Sequence, residues 1–139
     1  MKTIVRWLQP MTFVAESESG HGLVIDSSPD VGGRNLGPRP MEMVLMGMGG
    51  CTAIDVVSIL KKARQEVTDC EVELTAERAE TVPRVFTRIH ARYVITGRKL
   101  SEKSVSRAVS LSADKYCSVT RMLAQSTEIT HDYEIREAG

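Results

Sequence analysis

The chain lacks the features of several protein classes. It has no basic surplus, because 18 Lys and Arg residues balance 18 Asp and Glu residues and the formal net charge is zero. Nucleic acids and anionic membranes both attract basic proteins, so we expect neither as a partner. No apolar run approaches the roughly 20 residues that span a bilayer, and the amino terminus MKTIVRWLQP has no secretory signal pattern. These absences predict a cytoplasmic protein.

Cysteine and histidine are scarce. There are three of each, and no two cysteines form a CxxC pair. An odd number of widely spaced cysteines does not make a disulfide framework. Without a CxxC pair, and with its histidines scattered, the chain offers no recognisable zinc motif. We therefore expect no zinc site. The residues are Cys51, Cys70, Cys117, His21, His90 and His131.

The order of predicted elements indicates the fold class. At 139 residues the chain has room for one domain, and we predict a single domain over residues 1–139. Consecutive strands with no βαβ repeat predict antiparallel sheets packed on two central helices, an α+β fold. The predicted strands are TIVRWL, MTFVAE, LVID, CEVELTAER, RVFTRIHARYVITG and TEITHDYEI, and the predicted helices cover residues 41–66 and 102–115.

Two of these elements have a predicted buried face. Alternation along the fifth strand and a 3.6-residue stripe along the second helix select the core-facing positions, and a serine precedes that helix as N-cap. The residues are Val85, Ile89, Ala91, Tyr93 and Ile95 on the strand, Val105, Ala108, Val109 and Ser112 on the helix, and Ser101 as the cap.

The first helix is unusually long and apolar. Pro40 suits its first position, and Glu42 places a negative charge where the helix dipole favours it. Its middle is apolar almost all round, which is typical of a buried helix. One small sheet covers only one side of such a helix, so we predict a homodimer that buries the helices between two sheets. A monomer with an exposed apolar helix is the alternative.

The cysteines differ in their surroundings. Cys70 lies on the apolar side of a strand and is predicted to act as a small hydrophobe. Cys51 follows Gly47, Gly49 and Gly50, although glycine costs up to about 1 kcal/mol in a helix interior. The glycines either clear space around the sulfur or mark a helix crossing, and the sequence does not decide between these readings.

Cys117 lies in the segment DKYCSVTRML. Ser118 or Thr120 is predicted to cap a short helix over VTRMLAQ, which places Cys117 at its N-terminus. Free amide groups and the dipole there stabilise a thiolate, and Arg121 adds positive charge. The alternative is an inert cysteine at a helix junction.

Two segments together resemble a known family. GPRPMEMVLMGMGGCTAIDV is similar to the central-helix signature of the OsmC/Ohr family, and YCSVTRML resembles its second cysteine motif. The resemblance implies an intertwined homodimer in which two long helices pack between curved sheets. It also implies thiol-dependent reduction of organic hydroperoxides, without metal, haem or flavin.

The resemblance assigns roles to both cysteines. Cys51 matches the peroxidatic cysteine, which attacks the peroxide and becomes a sulfenic acid. Cys117 matches the resolving cysteine, which condenses with the sulfenic acid to a disulfide. A dithiol reductant of the lipoyl type, such as dihydrolipoamide, then restores both thiols.

The chain also departs from the family pattern. The peroxidase branches have a glutamate ten residues before the first cysteine, where this chain has Met41, and Glu42 lies one position later. One residue turns a helix by about 100°, so Glu42 cannot simply take the place of that glutamate. Glu42 is nevertheless the candidate for its role. Arg39, or Arg34 in the same loop, is the candidate for the supporting arginine. Asp55, four residues after the cysteine, is predicted to disfavour its thiolate.

Two other functions fit the same residues. The apolar dimer groove could bind a small hydrophobic or thiol ligand without chemistry. Alternatively, the cysteine pair could act as a redox sensor whose disulfide regulates a partner. Peroxide consumption distinguishes the enzyme from both.

Overall fold

The computed structural model describes all 139 residues. The chain forms two compact units, Met1–Met46 and Gly47–Gly139. The long helix α1 (Pro40–Lys62) begins in the first unit and ends in the second. Its start agrees with the predicted position of Pro40 as first helical residue. The single domain over residues 1–139 stays a prediction from chain length.

The first unit contains a three-stranded antiparallel meander. The strands pair in chain order, as alternation and turn residues predict. The following loop contains a short 3₁₀ turn and folds back on the third strand, where a side chain on Gly37 would collide with the carbonyl group of Val24. The strands are β1 (Thr3–Trp7), β2 (Phe13–Ser17) and β3 (Gly22–Ile25).

Asp26 organises this loop from a buried position. Its carboxylate accepts hydrogen bonds from the Thr12 hydroxyl at 2.9 Å and from the amides of Ser27, Arg34 and Leu36. Burial alone would raise the pKa of Asp26, but these four hydrogen bonds outweigh it and lower the pKa below 3.8. The charged carboxylate therefore stabilises the folded first unit.

We expect Asp26→Asn to destabilise the first unit in a pH-dependent way. The folded pKa is lowered, so the charged form contributes stability above the ordinary pKa of 3.8 and loses it as the pH falls below that value. Denaturant titrations at pH 7 and at pH 3, followed by the fluorescence of the single Trp7 on β1, measure the difference from wild type. The difference should be larger at pH 7 than at pH 3.

The exposed Asp69→Asn provides the control for this measurement, because Asp69 accepts no side-chain hydrogen bond. It should match wild type at both pH values. A stability difference for Asp26→Asn that stays the same at pH 7 and pH 3 would contradict the role of its charge.

The second unit contains a three-stranded sheet with one parallel pair. Strand β5 (Phe86–Arg98) lies in the centre, antiparallel to β4 (Glu66–Arg78) and parallel to β6 (Glu128–Glu137). The prediction of antiparallel pairing without a βαβ unit is wrong for β6. The helices between β5 and β6 carry the chain back across the sheet, so β6 enters in the direction of β5. The α+β class is confirmed.

Two helical segments and an intervening turn form this crossover. Helix α2 (Glu102–Leu111) continues into a π-helical turn (Ser112–Tyr116), and α3 (Ser118–Leu123) follows. Ser101 caps α2 as predicted, accepting a hydrogen bond from the Ser104 amide. The predicted helix over residues 102–115 therefore ends in a different kind of turn, which changes the direction of the chain just before Cys117.

The core of the second unit lies between the sheet and the helices α1 and α2. The predicted faces of β5 and α2 are confirmed with one exception: Val85 precedes the strand and is 52% exposed, whereas Phe86 is buried. The predicted strand begins at Arg84, two residues too early. The central residues are Val56, Leu60, Ala91, Tyr93, Ile95, Val105, Ala108 and Val109.

Helix α1 ends earlier than the sequence predicts. It stops at Lys62 rather than Glu66, because Arg64 adopts a left-handed conformation with φ of 57°. The amide of Gln65 donates to the carbonyl of Leu60 at 2.9 Å, and the amide of Arg64 donates to that of Lys61 at 2.9 Å. These two bonds form a Schellman motif, which satisfies the last carbonyl groups and releases the chain into β4.

Only one side of α1 is covered within the chain. A stripe of residues four apart is buried, whereas Ile54 is 72% exposed. By length and composition α1 is able to cross a membrane, so the expectation that no segment reaches this length is wrong. Core helices of water-soluble proteins meet the same criterion, and α1 has a buried stripe of the kind found in them. The stripe consists of Met48, Thr52, Val56 and Leu60.

Candidate redox-active site

Helix α1 presents three neighbouring functional groups to the interior of the second unit. Cys51 and Asp55 are half-buried, and Thr52 between them is fully buried. Positions i and i+4 of a helix share a face, so the thiol and the carboxyl group project side by side. A Cβ added to the nearby Gly49 would lie 3.0 Å from the Leu74 side chain. This short distance shows that α1 and β4 approach each other closely at Gly49.

The other two glycines, Gly47 and Gly50, are not needed for packing within this chain. A Cβ on Gly47 or Gly50 would meet no atom within 4 Å. Helix packing against β4 therefore explains one of the three glycines, and the other two leave the surface of α1 flat where the chain does not cover it.

Cys117 lies where the π-helical turn meets α3. It is fully buried and is itself the N-cap of α3, because its Sγ accepts hydrogen bonds from the Thr120 amide at 3.4 Å and the Thr120 hydroxyl at 3.1 Å. The predicted caps, Ser118 and Thr120, are wrong. Ser118 is the first helical residue, and Thr120 donates to the cap rather than acting as one.

The fold brings the two sulfur atoms and one carboxylate together. Sγ of Cys51, Sγ of Cys117 and a carboxylate oxygen of Asp55 all lie within 4.8 Å of one another. Both cysteines are free thiols in this structure. A disulfide needs an S–S distance of about 2.0 Å, so a modest rotation of the side chains joins them.

A chain of buried hydroxyl groups ends at this cluster. The Thr52 hydroxyl lies 2.6 Å from the Tyr93 hydroxyl and 2.7 Å from that of Ser112, and Ser112 donates to Asp55 at 3.1 Å. Thr52, Tyr93 and Ser112 are at most 1% exposed. The chain therefore links α1, β5 and the π-helical turn around the two cysteines.

Burial keeps two members of the site in their neutral forms. It raises the pKa of the Cys117 thiol, and the nearby Cys51 raises it further, while the two hydrogen bonds from Thr120 act in the opposite direction. Burial also raises the pKa of Tyr93, although its hydrogen bond with Thr52 lowers it in part. Cys117 is thus predominantly a thiol near neutral pH.

Glu42 and Arg39 form a local arrangement at the start of α1. The Glu42 carboxylate accepts a hydrogen bond from the Arg39 amide at 2.8 Å, the reciprocal half of a capping box. The Arg39 guanidinium donates to Asn35 at 2.7 Å and to the carbonyl of Gly37. The other candidate arginine, Arg34, donates to Thr12 and to the carbonyl of Gln9. All of these contacts lie in the first unit.

Cys70 is set apart from the pair. It lies on β4, half-buried, and packs against the core of the second unit as the alternation predicts. Burial and the neighbouring Asp69 raise the pKa of its thiol. These surroundings favour an unreactive thiol.

The cluster also contains a set of possible metal ligands. Two cysteine sulfurs and one carboxylate suit Zn²⁺ or another thiophilic divalent ion. The sequence contains no motif for such a site because Cys51 and Cys117 are 66 residues apart. Measurements on these thiols therefore need a chelator in the buffer.

A cavity of about 590 Å³ shares Asp55 with the cluster, although neither cysteine lines it. Its wall is mixed: Lys62 and Arg107 supply charged groups, and Ile59 and Leu111 supply apolar surface. Cavities of 300–1,000 Å³ hold drug-sized organic molecules. A small organic molecule therefore has room beside Asp55.

These features define a protein of the OsmC family: the family model described as OsmC-like protein matches residues 32–132, and the chain belongs to that family. Protein YhfA of Escherichia coli K12 is 53% identical over 135 residues, which are 97% of this chain and 98% of that protein. A crystal structure of a hypothetical protein from Aquifex aeolicus VF5 is 33% identical, with a TM-score of 0.87 over 99% of this chain and 97% of that chain.

The organic hydroperoxide resistance protein OhrB of Bacillus subtilis shares the fold at 15% identity, with a TM-score of 0.63 over 96% of each chain. The resemblance to the OsmC/Ohr family is thus confirmed.

The hydroxyl chain of the site has no signature in the sequence. Thr52 is a common helix residue, and the patterns predict Tyr93 and Ser112 only as core-facing positions of a strand and a helix. The spacing of Asp55 from Cys51 predicts only that the two share a helix face. No pattern links Asp55 to Ser112, because the two residues are 57 positions apart.

Proposed function

We propose that the protein reduces organic hydroperoxides through a cycle of Cys51 and Cys117. The proposal rests on one observation above all: the two sulfurs lie within 4.8 Å of each other in a fold shared with an organic hydroperoxide resistance protein. Cys51 is the more accessible of the two thiols and is therefore the nucleophile.

The cycle follows from this assignment. The Cys51 thiolate attacks the outer peroxide oxygen, an alcohol leaves, and a sulfenic acid remains. Cys117 then attacks the Cys51 sulfur, giving a disulfide and water. A dithiol of the lipoyl type reduces the disulfide and returns both thiols. The cycle is thiol chemistry throughout and needs no metal, haem or flavin.

Several further features support this function. The cavity of about 590 Å³ beside Asp55 has a mixed wall, in which Ile59 and Leu111 could contact the hydrocarbon part of an organic hydroperoxide and Lys62 and Arg107 its polar end. The uncovered side of α1 supports a homodimer in which two such helices bury each other. Support of the thiolate by Glu42 and Arg39 stays a prediction, as does the cytoplasmic location.

A second candidate is a binding module for a small hydrophobic or thiol ligand. A cavity of about 610 Å³, lined by Ala53, Ile54, Val57 and Cys70 among others, favours it, because this surface is mostly apolar and contains a thiol. A redox sensor, the third candidate, would use the same cysteine pair but would not catalyse repeated peroxide turnover.

Peroxide consumption under turnover conditions tests the proposal. Reduced protein is mixed with excess cumene hydroperoxide and dihydrolipoamide in chelator-containing buffer, and peroxide is measured over time. We expect many equivalents to be consumed per chain. Consumption that stops after one equivalent indicates a sensor, and no consumption with saturable ligand binding indicates a binding module.

A further inference from the structure

We propose that Asp55 is the proton-transfer group of the cysteine pair: it accepts the Cys117 proton as Cys117 attacks the modified Cys51. The inference rests on the pairing of Cys51 and Cys117 in the proposed function. It adds a catalytic residue to that pair and assigns it to the second chemical step rather than the first.

The position of Asp55 is the first argument. One of its carboxylate oxygens lies within 4.8 Å of both sulfurs, so a single group lies close to the attacking and to the attacked atom. Asp55 also lines a cavity of about 590 Å³.

The direction of the hydroxyl chain is the second argument. Ser112 has one hydroxyl proton and donates it to Asp55, so Thr52 must donate to Ser112. Thr52 then has no proton left, so Tyr93 must donate to Thr52. All three hydroxyl groups therefore point their protons towards the Asp55 carboxylate. Such a chain anchors the carboxylate through one of its oxygens, which accepts from Ser112.

The state of Cys117 is the third argument. This residue is fully buried, and its Sγ accepts hydrogen bonds from the amide and hydroxyl of Thr120. A buried thiol attacks slowly until it loses its proton. No histidine hydrogen-bonds to the thiol pair, and Asp55 is the carboxylate grouped with both sulfurs. The step needs a base, and Asp55 is the carboxylate placed beside the pair.

The step balances without another reactant. The proton of the Cys117 thiol moves to Asp55 as the sulfur electron pair forms a bond to the Cys51 sulfur. The bond from Cys51 to oxygen breaks, its electron pair leaves with the hydroxide, and Asp55 returns the proton to give water. Cys51 is reduced from sulfenic acid to disulfide while Cys117 is oxidised, and Asp55 ends as it began.

An aromatic disulfide tests this role without peroxide. With 5,5′-dithiobis(2-nitrobenzoate), the accessible Cys51 releases one thionitrobenzoate and forms a mixed disulfide, and the attack of Cys117 releases the second. Both phases are read in a stopped-flow absorbance experiment on Cys70→Ser protein. The second leaving group departs as an anion, so the second phase isolates the loss of the Cys117 proton.

In this background we expect Asp55→Asn to slow the second phase by about 100-fold or more, the usual contribution of a general base. The first phase should be unchanged or faster, because a negative charge near Cys51 has been removed. Asp114→Asn is the matched control: Asp114 is exposed on the π-helical turn before Cys117, and its replacement should leave both phases unchanged.

Two further variants separate proton transfer from structure. Asp55→Glu retains a carboxylate and should recover part of the second-phase rate, whereas a merely structural role predicts that Asn, the closer match in shape, performs better. Ser112→Ala leaves Asp55 in place but removes its anchor, and it should slow the second phase less than Asp55→Asn. Asp55→Glu and Ser112→Ala also provide the test if Asp55→Asn fails to fold.

A second phase of wild-type rate in Asp55→Asn, or better performance of Asn than Glu, would overturn the inference. Failure of the proposed function is recognised separately: the unmodified protein then consumes no cumene hydroperoxide, while the two-phase reaction with the aromatic disulfide still reports on Asp55.

Discussion

Replacing Cys51 by serine will reduce peroxide consumption to the rate of the protein-free reaction. A serine hydroxyl is a far weaker nucleophile than a thiolate, and no other accessible cysteine lies in the cluster. Steady-state loss of cumene hydroperoxide in the presence of dihydrolipoamide measures the effect.

Replacing Cys117 should give a different defect from replacing Cys51. Cys117→Ser should consume one peroxide per chain and then stop, leaving a sulfenic acid on Cys51 that dimedone traps and mass spectrometry locates. Loss of the very first turnover in this variant would contradict the assignment of Cys51 as nucleophile.

Cys70→Ser is the matched control for both variants. Its thiol lies on β4, and burial and Asp69 raise its pKa, so its removal should leave peroxide turnover unchanged. A large loss of turnover in Cys70→Ser would indicate that the reaction takes place at the apolar cavity that Cys70 lines.

The second large effect concerns assembly. We expect a homodimer at micromolar concentration, and Ile54→Glu should convert it to monomers. Ile54 is 72% exposed at the centre of the uncovered side of α1, so the dimer would bury a glutamate without a partner. An uncompensated buried charge costs about 3–5 kcal/mol, which weakens association by about 100-fold or more. Sedimentation velocity measures the change.

Val82→Glu is the control for assembly, because Val82 is 89% exposed outside the helices and strands. The same charge at that position should leave the dimer intact. A wild-type protein that sediments as a stable monomer, or Ile54→Glu protein that remains dimeric, would contradict the burial of α1 between two chains.

The sequence predicted the elements better than their directions. Alternation located β4, β5 and β6, yet it carries the same signal for parallel and antiparallel pairing, so the direction of β6 could not be predicted. The end of α1 depends on a left-handed Arg64, a conformation that non-glycine residues seldom adopt. No residue in that segment indicates the stop.

The candidate site, like the fold, could be predicted from the sequence only in part. The spacing of Cys51 and Asp55 on one helix predicts that they share a face. The approach of Cys117 depends on the crossover from β5 to β6, which the residues near Cys117 do not encode. A thiol is also an unusual helix cap, so the hydroxyl residues beside Cys117 were the natural but incorrect choice.

The capping role of Cys117 has a consequence for the catalytic cycle. Its Sγ accepts two hydrogen bonds from Thr120 while it is a thiol. A sulfur bonded to Cys51 in a disulfide has to move from this position, so we expect each oxidation in the proposed cycle to weaken the N-cap of α3 and each reduction to restore it. The oxidation state of the pair would then alter the stability of a short helix that exposes Ser118, Arg121 and Met122.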